Sequence, residues 1–218
     1  ALSNPVSSWI SRGVTFIVSF IVFGALTLAS RWIQALAWSG GVVEVFQILA
    51  MVAAFGVMVY SGFVLVNNPG LAFWNNALLP VLFVLYSFMG GIAVIFITLA
   101  VQADAKVNLK LLETIEIWLI VFALMLLGIY LLTMATSTVG ARVAVRGLVK
   151  GRYALFFLGG GIGLGLLLPL AIAIYIYVAD PGLYSASLAI IIAGVLELFG
   201  GFVIRYSFLR AAMYAPLL

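Results

Sequence analysis

The stretch Leu188-Ala-Ile-Ile-Ile-Ala-Gly-Val-Leu-Glu-Leu-Phe-Gly-Gly-Phe-Val-Ile-Arg-Tyr-Ser-Phe-Leu-Arg210 decides the fold. At about 1.5 Å per residue it is long enough to cross roughly 30 Å of hydrocarbon. It nevertheless carries Glu197 near its middle and Arg205 two turns later. A charge at the bilayer centre costs at least ~2.5–3.5 kcal/mol, so such groups face protein or water rather than lipid. Gly200-Gly201 lies between them and lets another helix come close. The remaining helices are expected to be arranged around this polar interior.

The rest of the chain has the same character. It is 67% hydrophobic and 7% charged, where a soluble domain carries about 25% charged residues. The apolar runs are long and do not alternate, which predicts an all-α polytopic membrane bundle. The chain has no cysteine and no histidine. It therefore offers no disulfide, no thiolate or imidazole metal site, no iron–sulfur cluster and no bis-histidine haem. The net charge of +4 reports loop placement in a membrane protein, not nucleic-acid binding.

Hydropathy predicts six transmembrane helices in a single domain over residues 1–218, at about Val14–Ser30, Val43–Val66, Ala77–Val101, Leu112–Met134, Ala154–Val178 and Ser187–Leu209. Connections are short except for Ala135 to Tyr153. One side of the membrane then holds Arg12, Arg142, Arg146, Lys150, Arg152 and Arg210. The excess of basic residues places that side in the cytoplasm. The basic connection reads first as a topology signal in contact with lipid headgroups, and second as a docking surface for a soluble partner.

The opposite side is acidic. Asp104, Glu113 and Glu116 cluster around the third connection, Glu44 and Gln47 open the second span, and Gln102 ends the third. These residues fit a solvated rim, and they also fit a polar pocket that binds a headgroup and exchanges protons. Glu113 and Glu116 are three apart at a helix start, so they share a face and suit the helix dipole. Tyr60 lies one turn inside the second span, where a buried phenol needs a partner and an interfacial one does not. Asn67-Asn68-Pro69-Gly70 is a turn, Trp74 an interfacial anchor, Asn76 a cap for the next helix, and Pro80 a first-turn proline. Pro169 is expected to bend the fifth helix. Gly159-Gly160-Gly161 sits inside a span after no strand, so it is not a phosphate loop.

Taken together, three segments resemble the NrfD-like family of polysulfide-reductase membrane subunits. The first is Tyr60-Ser61-Gly62-Phe63-Val64-Leu65 with Phe73-Trp74-Asn75-Asn76-Ala77-Leu78-Leu79-Pro80 and a span holding Ser87 and Gly90-Gly91. The second is the glycine-rich Gly159 to Pro169, and the third Leu196 to Tyr206. The resemblance implies a protein of eight or more spans, with two helices before Asn4-Pro5-Val6-Ser7-Ser8. It also implies no redox cofactor in this chain, a non-covalently bound quinone of the menaquinone type, and electron exchange with a ferredoxin-like iron–sulfur subunit. A molybdenum- or tungsten-cofactor subunit would then do the terminal chemistry.

On this reading Glu44, Gln47, Gln102, Asp104, Glu113 and Glu116 are the candidate quinone-binding residues. Tyr60, Glu197 and Arg205 form the proton path or buried polar network. Glu197 and Arg205 are about 12 Å apart along the helix by its rise, so each needs a partner on another helix, for which Tyr60, Tyr86 and Tyr130 are available. A purely structural role for the two charges fits the sequence equally. A secondary transporter or channel with a midplane carboxylate is the competing function, and a tether that never touches quinone is a third.

Overall fold

The computed structural model describes residues 8–32, 40–68, 70–101, 108–179 and 183–212. Every regular element among them is helical: α1 (Trp9–Trp32), α2 (Gly40–Val66), α3 (Leu78–Val101), α4 (Leu109–Thr136), α5 (Val139–Val149), a π-helical segment (Leu155–Leu167) that runs directly into α6 (Leu168–Ala179), and α7 (Leu183–Ala211). Six helices are long and apolar enough to span a bilayer, with the π segment and α6 together forming one of them. The protein is a multi-pass membrane protein of the all-α class. Most helices overrun the expected spans by a few residues, because headgroup-level polar and aromatic residues extend a helix without adding to its apolar run.

The chain forms two compact units, residues 1–67 and 68–218. In the first, α1 and α2 pack as an antiparallel hairpin through glycines that receive aromatic rings. A Cβ on Gly13 would stand 2.2 Å from the Tyr60 ring, and one on Gly56 would stand 2.5 Å from the Phe16 ring. Trp9 stacks on Phe63 at 4.6 Å between ring centroids, and Phe23 on Phe46 at 6.0 Å. Pairs 9–63, 13–60, 16–56 and 23–46 run in opposite order along the two helices, which sets the direction.

In the second unit α7 packs against α3, α5, the π segment and α6. Its contact with the π segment is backbone on backbone: a Cβ on Gly165 would lie 2.2 Å from the Gly200 Cα. One turn on, a Cβ on Gly161 would lie 2.8 Å from the Ile204 side chain. Against α3, Gly194 meets Ile97 and the Ala93 carbonyl, and Leu198 covers Gly90. The π winding is tolerated because five of its thirteen residues are glycine, so little side-chain packing is lost in the wider turn. It ends where the Leu168 N–H reaches the Gly163 carbonyl five residues back, one residue before the buried Pro169. The span thus meets its proline, which lacks an N–H, with a loosened turn.

Polar groups are tied at the helix ends. Asn76 accepts from the Leu78 N–H at 2.8 Å, as its capping role requires. The Trp74 indole donates to the Phe208 carbonyl at 3.0 Å, satisfying one of the four orphan acceptors at the end of α7. Tyr130 donates its hydroxyl to the Phe73 carbonyl, and Phe73, Tyr130, Phe157 and Phe208 form one aromatic cluster. The basic connection after α4 is a finding of the structure: most of it is α5, capped by Thr138, with Ala141, Ala144, Val145 and Leu148 buried and Arg142 and Arg146 exposed.

Candidate functional site

Glu197 and Arg205 stand two turns apart on α7, and the structure gives each a different neighbourhood. Arg205 turns toward α3. Its Nη2 donates to Ser87 Oγ at 3.0 Å and approaches the Phe83 carbonyl at 3.4 Å. Ser87 in turn donates to the same Phe83 carbonyl at 2.8 Å, a bond back along its own helix. The guanidinium also lies 5.6 Å from the Phe83 ring centroid and within electrostatic reach of the Tyr86 hydroxyl. A charge, a hydroxyl and a carbonyl thereby close a knot between α3 and α7. Tyr86 is buried, and its hydroxyl bonds no described residue.

Glu197 faces the other way, toward α4. It is 3% exposed, Glu116 is 4% exposed and Glu113 8%. The group within hydrogen-bonding reach of Glu197 is the Glu116 carboxyl, and no N–H or hydroxyl of the described residues bonds either Glu197 oxygen. Two ionised carboxylates have no donor between them, so this contact is a hydrogen bond only when one of the pair carries a proton. Glu113 lies one turn before Glu116 and acts on it electrostatically. The α4 and α7 backbones do not approach closely among the described residues, so long side chains bridge them: the Glu116–Glu197 pair here and the Tyr130–Phe208 stack elsewhere along the helices.

A cavity of about 10 Å³ opens beside the α4 carboxyls, walled by Phe96 of α3, Ile172 and Ile176 of α6, and Ile190 of α7. That is room for about one water. Ile92, Phe96, Ile176 and Ile190 make a continuous apolar layer there. The arrangement is a carboxyl pair in an apolar shell, next to space for a single proton-bearing molecule.

The other candidate residues lie elsewhere. Glu44 is exposed and Gln47 half-buried on α2, within the first unit. Tyr60 belongs to the same unit, where its ring seats on Gly13. Gln102 and Asp104 fall outside the described residues. Of the three tyrosines considered as partners, Tyr86 is the one near Arg205, while Tyr130 is committed to the Phe73 carbonyl. Sequence alone pairs neither Ser87 nor Glu116 with the α7 charges. Direction was the available signal: α3 runs antiparallel to both α4 and α7, so α4 and α7 start from the same side. Glu116 and Glu197 then fall at comparable depth.

Among the described residues no three of His, Cys, Asp or Glu gather as metal ligands. A family model described as polysulphide reductase, NrfD, matches residues 2–216. No curated protein and no solved structure matches the chain.

Proposed function

Since this chain belongs to the polysulphide reductase NrfD family, we propose that it is the quinone-linked membrane subunit of a respiratory oxidoreductase, and that Glu116 and Glu197 carry the protons of that reaction. A bound quinone of the menaquinone type supplies a couple of two electrons and two protons. The electrons pass to or from a ferredoxin-like iron–sulfur subunit, and from there a molybdenum- or tungsten-cofactor subunit completes the chemistry. The chain sits in the inner membrane of a prokaryote with its basic side in the cytoplasm.

The observation that carries the proposal is the buried carboxyl pair bridging α4 and α7. A carboxyl pair that exchanges a proton within itself is suited to accept one proton and pass one on, and Glu113 extends it by a turn toward the start of α4. The cavity beside the pair is far below the roughly 300 Å³ that a ring-sized ligand needs, so Glu113 and Glu116 fit proton transfer better than ring contact. Arg205, fixed by Ser87, keeps a positive charge two turns from the pair and biases protons away from the cytoplasmic half.

The test is Glu197→Gln in the purified complex. Quinone-linked turnover is expected to fall about 100-fold while the subunits still co-purify. Unchanged turnover and proton coupling would make Glu197 a packing residue. A chain that purifies without iron–sulfur or molybdenum subunits would support the transporter instead.

A further inference from the structure

We propose that the cleft between α5 and the end of α7 is a binding site for one anionic phospholipid headgroup, held by Arg152 and Arg210. The two guanidiniums line one cleft of about 290 Å³, together with Tyr153, Val143, Ala144 and Gly147. Among the described residues each arginine is held by an aromatic ring and not by a carboxylate. Arg152 lies 5.2 Å from the Tyr153 ring centroid, and Arg210 lies 5.4 Å from the Tyr206 centroid with its Nε donating to the Tyr206 hydroxyl at 3.0 Å. That bond uses one of the five donors of Arg210, and among the described residues no carboxylate lines the cleft. Two like charges facing one space call for an anion, and a phosphodiester matches the fork of a guanidinium.

The position specifies the source of that anion. Tyr153 lies two residues before the π segment, and Arg210 lies one residue from the end of α7, so the cleft sits where two spans leave the hydrocarbon. Phosphates of the lipid headgroups lie at this level. Exposed Val143 lines the cleft and exposed Leu155 lies three residues after Arg152, and both present apolar surface suited to acyl chains. A second cleft of about 520 Å³, lined by Arg146 and Lys150, shares Val143 and Gly147 with the first and extends the cationic surface along α5. This is the arrangement of a basic pocket between membrane helices that takes an acidic headgroup. The inference stands apart from the quinone reading, since it uses none of the same residues.

The experiment is native mass spectrometry of the full chain released from nanodiscs of phosphatidylcholine with or without phosphatidylglycerol. One phosphatidylglycerol is expected to be retained in preference to phosphatidylcholine. Retention is expected to fall about tenfold in the double variant Arg152→Gln/Arg210→Gln. It should stay unchanged in Arg142→Gln, which removes a charge from α5 outside the cleft. Equal retention of both lipids, or full retention in the double variant with native helicity, overturns the proposal. Displacement by millimolar inorganic phosphate assigns the cleft to a free anion and also overturns it. So does protection of the two arginines from phenylglyoxal by a partner subunit but not by phosphatidylglycerol, which assigns the cleft to protein docking.

Discussion

Ser87 shows how a single hydroxyl can anchor a half-buried charge. It accepts from Arg205 and donates to the Phe83 carbonyl, so it holds one end of the guanidinium without adding a countercharge. Removing it leaves a half-buried guanidinium with one long bond to that carbonyl. Ser87→Ala is therefore expected to cost about 0.5–2 kcal/mol, read as a lower thermal midpoint in detergent. Tyr130→Phe probes the same currency at another place. It keeps the ring cluster with Phe73 and Phe208 but orphans the Phe73 carbonyl, at an expected cost of about 1–3 kcal/mol and with turnover unchanged. A loss of turnover comparable to that of Glu197→Gln would instead place Tyr130 on the proton path.

At the scale of the helix, the adjacent pair Gly200-Gly201 separates two roles of glycine. Gly200 touches the Gly165 backbone, with any Cβ 2.1 Å from its Cα, whereas Gly201 has nothing within 4 Å of an added Cβ. Gly200→Ala is expected to force α7 off the π segment and to abolish a stable fold. Gly201→Ala is expected to be neutral or to stabilise by up to ~1 kcal/mol through helix propensity. Thermal midpoints of the two variants, measured side by side, decide the matter, and equal tolerance would mean that the close approach is not maintained. The double glycine was legible in the sequence as a packing site, but which member makes the contact depends on the rotation of α7 about its axis.

For the molecule as a whole, the six spans fix which loops share a side. The absence of native cysteine makes this directly measurable, because any introduced thiol is the sole target. Asn108 and Lys150 flank the span of α4 on opposite sides, at its N-cap and after α5. Lys150→Cys is expected to react with an impermeant maleimide from the cytoplasmic side, and Asn108→Cys from the outer side. Labelling of both from one side would break the alternation and with it the assignment of the basic face. The same experiment reports on α5. Its exposed Arg142 position should label as readily as Lys150, while Ala144, which is buried against the bundle, should not.

Composition, span number and the presence of ionisable groups inside the hydrocarbon were settled by sequence alone, because a chain in lipid must close its backbone hydrogen bonds within each segment and must account for each buried charge. The glycine-rich span, the Asn76 cap and the inward-facing α7 charges were legible for that reason. The pairing of those charges was not. Glu116 read as part of an outer rim because one helix seen alone gives depth and phase but no neighbour. Only the tertiary arrangement, in which α4 and α7 run parallel across a gap that their backbones do not close, brings the two carboxyls together. The amphipathic helix α5 was hidden for a related reason: its apolar face is short and has meaning only against the bundle that covers it. Partner choice in a membrane protein is decided by helix direction, rotation and spacing, and these are properties of the assembled bundle rather than of any one segment.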